Sequence, residues 1–372
     1  MSNSPIGLYV HVPFCLKKCD YCAFASAPPA SGNINAYLVE LSHELTERVS
    51  PDLVSRISTV FVGGGNPTAI GPEAFGRLTR FLAEHLRAAP LTEWTFETNP
   101  ETLTSALIPI LRDIRCLRLS IGAQRLQDDQ LSRLGRQGSV TRLREALDLA
   151  CSLTSRVGID LILGVPGCPP VTADVAELLT RYSLEHISAY FLSAEPETPL
   201  GEAVVSGMFP DPADIGPEEL FELADLLQSR GFEQYEISNF AKSGGRCRHN
   251  LGYWEGLPYI GLGPSAVGTM NGLRHTNPVS LRDWLQRIPP EVERITSSIE
   301  AREYLMLRLR LVADGLDLNA YEARFGPASA ALRAGLRRQT ESGHIEVSGE
   351  VFRLTRTGLS VANRVIADLF ED

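Results

Sequence analysis

No run of apolar residues in this chain of 372 approaches the length of about 18 that a membrane-spanning helix needs. Positive charge is in short supply. The 35 Lys and Arg against 45 Asp and Glu give a formal net charge of −10, which argues against nucleic acid as a main partner. The opening run MSNSPIGLYV lacks both a basic segment and a long apolar stretch, so no secretory signal is expected. Cysteine is scarce, 7 in all, and an odd number outside any secretory context excludes a disulfide framework. There is no internal repeat and no low-complexity tract. A G-x-G-x-x-G run and a P-loop lysine are also missing, which makes a nucleotide phosphate a poor candidate ligand. Hydrophobic residues make up 44% of the chain, enough for one large α/β domain and a small appendage. A soluble cytoplasmic protein is the expectation.

What is present is concentrated near the start. Cys15, Cys19 and Cys22 fall within the run YVHVPFCLKKCDYCAF. A cubane iron–sulfur cluster normally takes four cysteine ligands. The spacing C-x₃-C-x₂-C offers three thiolates, so one iron stays open to a substrate. That points to reactive chemistry rather than simple electron storage. A structural zinc site would need a fourth Cys or His at tight spacing; His11 is near, but belongs to the strand that leads into the loop. A reducing compartment also suits an oxygen-sensitive cluster.

Strand-like runs lie at 8–14, 58–64, 93–99, 116–124, 157–167 and 186–192, each ending in Gly, Pro or polar residues. Helical periodicity occupies 34–49, 72–88, 141–153 and 217–232. Near-continuous apolar strands alternating with amphipathic helices mean a parallel sheet covered by helices. Six such units suggest an open (β/α)₆ barrel, a partial TIM barrel, with its chemistry at the C-terminal strand ends. From about residue 298 the order becomes helix, helix, a hairpin around Gly349 and a last helix, a winged-helix-like α+β segment without a basic recognition helix. The expected segments are therefore a barrel over 1–240, a linking region over 241–297 and a C-terminal domain over 298–372.

The cysteine loop followed by an aromatic, here Phe24, resembles the radical S-adenosylmethionine (SAM) superfamily. That resemblance implies a [4Fe–4S] cluster on Cys15, Cys19 and Cys22, with the amino and carboxylate groups of SAM on the open iron. Other residues fit the same pattern. Tyr9 and Tyr21 stand before and within the loop, at positions that contact SAM in the family. In VFVGGGNPT, the glycines up to Gly64 and Gly65 let the backbone come close to a ligand, and their place resembles the GGGTP element that holds the methionyl amino group. Asn66 replaces the usual Thr there. Glu97 in FETNP resembles the SAM-binding glutamate, and a carboxylate can accept hydrogen bonds from ribose or an amino group. Gln124, Arg136 and Asp160 match, in order, the SAM contacts of the coproporphyrinogen dehydrogenase and HemW group, with Arg136 suited to the SAM carboxylate.

A second element, CRHNLGYWEG, has the pattern H-N-x-x-Y-W and supplies His249, Tyr253 and Trp254. Imidazole is a common axial ligand of haem, and flat aromatic rings suit a porphyrin face. His249 and Tyr253 would share a face if the stretch were helical, although Gly252 and Pro258 speak against a long helix. A packed loop with a hydrogen-bonded histidine is the plain alternative. With its flanks YEISNFAKSGG and YIGLGPSAVG, the motif resembles the HemW haem chaperones. Cys116 and Cys151 are expected in the core, Cys168 at the surface, and Cys247 as a candidate support for haem.

Two functions follow from the resemblance. One is a chaperone that binds haem and passes it to an acceptor apoprotein, peripheral to a membrane during delivery. The other is an oxygen-independent coproporphyrinogen III dehydrogenase, a radical SAM oxidative decarboxylase of propionates. The dehydrogenase carries a further Cys two residues after the third, where this chain has Phe24, and a longer extension before its cysteine loop. Both features favour the chaperone. The resemblance further implies a low-potential electron donor such as flavodoxin or ferredoxin, and admits a homodimer.

Overall fold

A computed structural model describes residues 4–370. Six strands lie side by side in chain order and parallel: β1 (Ile6–Val12), β2 (Ile57–Gly64), β3 (Glu93–Thr98), β4 (Leu117–Gln124), β5 (Val157–Leu163) and β6 (His186–Phe191). Helices α1 (Ser31–Arg48), α2 (Pro72–His85), α3 (Ile108–Arg112), α4 (Val140–Leu153) and α5 (Thr172–Arg181) make the five crossovers, and α6 (Glu218–Ser229) follows β6. This is the open six-unit barrel expected from the alternation of strands and helices. The helix α5 escaped sequence reading because a proline-rich loop, GCPP, precedes a short amphipathic run.

The strands are less uniformly apolar than they read. On β1, Ile6, Leu8, Val10 and Val12 join Tyr37, Leu38 and Leu41 of α1 in the main core. Since side chains alternate across a strand, Gly7, Tyr9 and His11 point the other way, into the barrel lumen. The register carries this phase across the sheet. Gly7 pairs with Thr59, Thr59 with Glu93, Thr95 with Arg118, Ser120 with Gly158, and Gly158 with His186. The inward-facing residues are mostly polar or glycine, with Phe61 and Ile162 as apolar exceptions, while Val60, Trp94, Leu119, Ile159 and Ile187 face the helices.

Both sheet edges are extended. β7 (Glu233–Glu236) and β8 (Asn239–Ala241) continue past β6 as antiparallel strands. After the short helix α7 (Arg248–Trp254), strand β9 (Tyr259–Leu262) pairs parallel with β1, followed by β10 (Val267–Met270), β11 (Leu273–Thr276) and β12 (Glu291–Arg294). These four strands are four residues each, with β12 fully exposed, too short to show a period of two.

The C-terminal unit has its own core around Leu305, Leu309, Leu316, Leu336 and Ile366. It comprises α8 (Ser297–Arg310), β13 (Leu316–Asp317), α9 (Leu318–Phe325), α10 (Ala330–Glu341), the hairpin β14 (Ile345–Ser348) and β15 (Val351–Leu354), and α11 (Ala362–Asp368). Thr296 and Asp317 cap α8 and α9 through side-chain acceptors, as short polar residues do at helix starts. Arg310 pairs with buried Glu236 at 2.6 Å, and Arg356 grips Asp225 at 2.6 and 2.8 Å, tying the unit to the barrel. Among the described residues no helix is long and apolar enough to cross a membrane.

Candidate cofactor site

The cysteine loop leaves the C-terminal end of β1 and lies across the barrel mouth. Cys15, Cys19 and Cys22 are free, half-buried thiols, and Cys22 N–H donates to Cys19 O at 3.1 Å. Burial pushes the Cys15 thiol up to about 11, with Cys22 and Cys19 beside it. Cys22 is raised as well, chiefly by burial. Among the described residues no three His, Cys, Asp or Glu side chains converge on one point tightly enough to chelate a single ion. Three thiols on one loop are the kind of soft donor set that an iron–sulfur cluster takes.

The glycine run packs directly beneath this loop. Gly64 has φ of +102°, and a side chain there would lie 2.6 Å from the His11 ring. At Gly65 a side chain would meet Phe14 O at 2.6 Å. Only glycine allows this approach. Gly65 N–H donates to Val12 O and Asn66 N–H to Phe14 O, at 2.9 and 2.7 Å. The Asn66 side chain turns away from the mouth: its Nδ2 donates to Thr102 Oγ1 and its Oδ1 accepts from Thr68 Oγ1, both at 2.9 Å. The departure from the usual Thr therefore serves the body of the fold, and the backbone here faces the loop.

Glu97, Gln124, Arg136 and Asp160 arrive from neighbouring strand ends. Glu97 Oε2 accepts from Gly64 N–H at 3.1 Å. Burial, with Asp160 nearby, pushes its carboxyl up to about 8. Asp160 is raised too, mainly by burial, while Ser188, Arg118 and Ser120 pull the other way. Ser120 Oγ donates to both its oxygens at 3.2 Å. Two carboxyls facing one chamber, both pushed toward their neutral forms chiefly by burial, would gain from a cationic ligand. Gln124 sits in left-handed backbone, φ +63°, at an irregularity in the β4–β5 register; such strain in a non-glycine residue clusters at binding sites. Arg136 donates to Gly122 O at 2.6 Å, lies 3.9 Å from Glu101 and hydrogen-bonds Tyr21. It brings a buried positive charge beside Cys19 and Tyr21. Tyr9 lies lower in the lumen, its hydroxyl 3.0 Å from His11 Nδ1. The mouth thus gathers these residues except the Asn66 side chain, which turns away, and Tyr9, which stands below it.

The H-N-x-x-Y-W stretch is the seven-residue helix α7, set inside the lumen below that chamber. Glu93, fully buried on β3, caps it. The carboxylate accepts from His249 N–H and Arg248 N–H at 3.0 Å each and from Cys247 Sγ at 3.4 Å. Burial alone would raise Glu93, but Arg118, those two backbone donors and Arg156 hold it below the usual carboxylate range. His249 Nδ1 is 2.9 Å from Thr59 Oγ1, and its Nε2 is 2.8 Å from the Tyr253 hydroxyl. The Phe61 ring stacks on the imidazole at 5.2 Å. Burial pushes His249 down to about 4, so the ring is neutral, with both nitrogens engaged. It borders a pocket of about 20 Å³. Tyr253 reaches further out, edge-on to Tyr259 at 4.5 Å, whereas Trp254 packs on Tyr235. Cys247 is buried under this helix. Cys116 and Cys151, expected in the core, are exposed: Cys116 occupies a left-handed turn before β4, φ +54°, and Cys151 the outer face of α4.

Comparison with other proteins agrees with this arrangement. Residues 9–179 match the Radical SAM superfamily and residues 295–361 the HemN C-terminal domain. The chain is 32% identical to "Heme chaperone HemW" of Mycobacterium tuberculosis (strain ATCC 25618 / H37Rv), over 99% of this chain and 96% of that one. It is 29% identical to the protein of the same name from Bacillus subtilis (strain 168), covering 96% and 97%. The chain belongs to the HemW family. Among solved structures, the radical SAM enzyme coproporphyrinogen III oxidase (HemN) from Escherichia coli superposes with a TM-score of 0.79 at 21% identity, over 99% of this HemW chain and 91% of its own; that likeness is one of fold.

Sequence reading of this HemW chain missed several lumen residues. Glu93, Arg118, His186, Tyr235 and Tyr190 all line the barrel interior or its floor. His186 Nε2 is 2.8 Å from the Tyr235 hydroxyl, and Arg118 is buried among Glu93, Asp160 and Cys247. The signal was present: a charge or imidazole at alternate positions inside EWTFE, CLRLS and HISAY marks one face of each strand as polar.

Proposed function

We propose that this chain binds haem and hands it to an acceptor apoprotein, holding a [4Fe–4S] cluster on Cys15, Cys19 and Cys22 with SAM at the barrel mouth. What supports this reading most is the near full-length similarity to heme chaperones, which covers the H-N-x-x-Y-W stretch. Phe24 in place of a further cysteine points the same way. When bound, the cluster supplies low-potential electron chemistry toward the SAM sulfonium. The chain's own residues supply the seat. Glu97 would take the ammonium of SAM, Asp160 the ribose hydroxyls, and the backbone at Gly64 and Gly65 the methionyl end. Arg136 and Tyr21 would orient the carboxylate and offset charge near Cys19. Binding to the native state alone would also stabilise the fold.

Within α7, His249 would act through Tyr253: it fixes the phenol with one nitrogen and is held by Thr59 with the other. Iron ligation by His249 would require one of those bonds to break. Anaerobic reconstitution followed by two assays tests the reading. Haem titration is expected to give saturable binding, and coproporphyrinogen III with SAM and reductant is expected to remain unconverted. Formation of protoporphyrinogen would overturn the chaperone reading in favour of the dehydrogenase.

A further inference from the structure

Beside the cysteine loop a cleft of about 1380 Å³ opens between the barrel and the C-terminal unit. It is larger than the pockets of about 300–1,000 Å³ that hold small ligands. One wall is strands β9 and β10 with the end of α7, and the facing wall is α8. Residues 180–294 lie between the two matched family segments, and they contribute the whole of the first wall.

The lining has a distinct chemistry. Tyr253 and Tyr259 stand edge to face on the barrel side, and Tyr304 stands on α8 with the Arg324 guanidinium over its ring at 5.3 Å. Phe24, Val279 and Met306 border the same space and are 66%, 65% and 40% exposed. Three apolar side chains around one cleft leave hydrocarbon in water that a flat ligand would cover. Two of the chain's 4 methionines, Met270 and Met306, are there, and Met and Tyr are among the residues that can hold haem iron.

Charge narrows the ligand further. Arg274 is neutralised by Glu293 and Glu303 at 3.0 and 2.6 Å, and Arg324 by Glu300 at 2.5 Å. Arg56 has no carboxylate partner among the described residues; its guanidinium donates to Ser4 O at 3.2 Å from two nitrogens. The three guanidinium groups and three carboxylates balance overall, and Arg56 is the guanidinium left to pair with a ligand. The cleft therefore suits a planar, largely apolar molecule whose anionic edge can reach Arg56 beside an aromatic and aliphatic wall.

We propose that haem binds in this cleft, its macrocycle between the Tyr259 and Tyr304 walls and a propionate on Arg56, so that the H-N-x-x-Y-W motif meets haem through Tyr253. This rests on the haem-chaperone reading. The cleft borders the cysteine loop at Phe24 and shares Tyr9 with the cofactor site, which sets cargo and cofactor side by side.

Haem titration of the full, cluster-reconstituted chain, followed by absorbance, tests the assignment. Met306→Glu and Arg56→Glu put negative charge on opposite sides of the cleft. Each is expected to weaken haem binding about fivefold or more, and the pair about 25-fold, with iron content and melting temperature unchanged. Val205→Glu, at a residue 86% exposed and outside the cleft, is expected to bind as wild type. A folded double variant that binds haem within twofold of wild type overturns the cleft assignment while leaving the chaperone reading intact. Absence of haem binding by wild type overturns that reading and the assignment with it. Should Arg56→Glu lower the melting temperature, Val279→Glu paired with Met306→Glu makes the same test at two exposed positions.

Discussion

Glu97 is a carboxyl placed where its charge is costly until a cation arrives, and Glu97→Gln isolates that cost. Burial and the neighbouring Asp160 raise the group from 4.5 to about 8 in the folded chain. A folded pKa above the unfolded one means that folding favours the protonated form. Its stabilising contribution is complete below about pH 4.5 and is lost as pH rises through about 8. The whole shift corresponds to roughly 5 kcal/mol at about 1.4 kcal/mol per unit. The carboxyl faces the barrel mouth and is half-buried, so solvent screening reduces the effect to about 2 kcal/mol. Glutamine keeps the neutral shape and an oxygen for Gly64 N–H. In cofactor-free protein, Glu97→Gln is therefore expected to raise the melting temperature at pH 8.5 by roughly 2–3 °C and to leave it unchanged at pH 5. The same substitution is expected to weaken SAM binding about tenfold or more, because the carboxylate partner of the ammonium is gone. Calorimetric melts at the two pH values and a SAM titration check both. A melting shift equal at pH 5 and 8.5, or SAM affinity that is unchanged, would refute the reasoning.

Other perturbations follow from the same geometry. Glu93→Ala removes the cap of α7 and leaves Arg118 buried without its neighbour; a loss of about 3–5 kcal/mol is expected in urea unfolding, with Glu93→Gln losing less. Since Glu93 lies below the usual range, its stabilising contribution is present above about pH 4.5 and disappears as pH falls through its folded value. Arg125 is fully buried and donates to Gln130, Ile162 O, Pro169 O and Glu219, while Glu219 also accepts from Gly164 N–H and Val171 N–H. Glu219→Ala is expected to cost about 3–5 kcal/mol and to loosen the loop after β5, read as lost proteolytic protection around residues 164–171. Cys19→Ala is expected to abolish the broad visible absorption of the reconstituted chain; retention of about four irons per chain would remove Cys19 from the ligand set.

Much of this was legible before the fold was known, for identifiable reasons. The six barrel strands announce themselves because helix-facing residues such as Val60, Trp94 and Ile159 need apolar partners, and the crossover helices supply them. The cysteine loop, the glycines and Glu97 lie at strand ends, where backbone is exposed and local residue type decides what can bind. The floor was not legible. Glu93 looks like a strand-flanking carboxylate until register sets it 3.0 Å from backbone N–H groups 155 and 156 residues away. His249 carries ligand chemistry in isolation, but Thr59 and Tyr253 consume it, and neither partner is visible without the packing of α7 into the lumen. Strands β9 to β12 went unread because four-residue strands gain their stability from pairing along an existing edge rather than from a pattern of their own.

Electron paramagnetic resonance of the anaerobically reconstituted and reduced chain, recorded before and after SAM is added, tests the three-thiolate seat most directly. About four irons per chain and a spectrum that changes on SAM addition are expected. A spectrum indifferent to SAM, or iron held only as single ions, would contradict a cluster with one iron open at the barrel mouth.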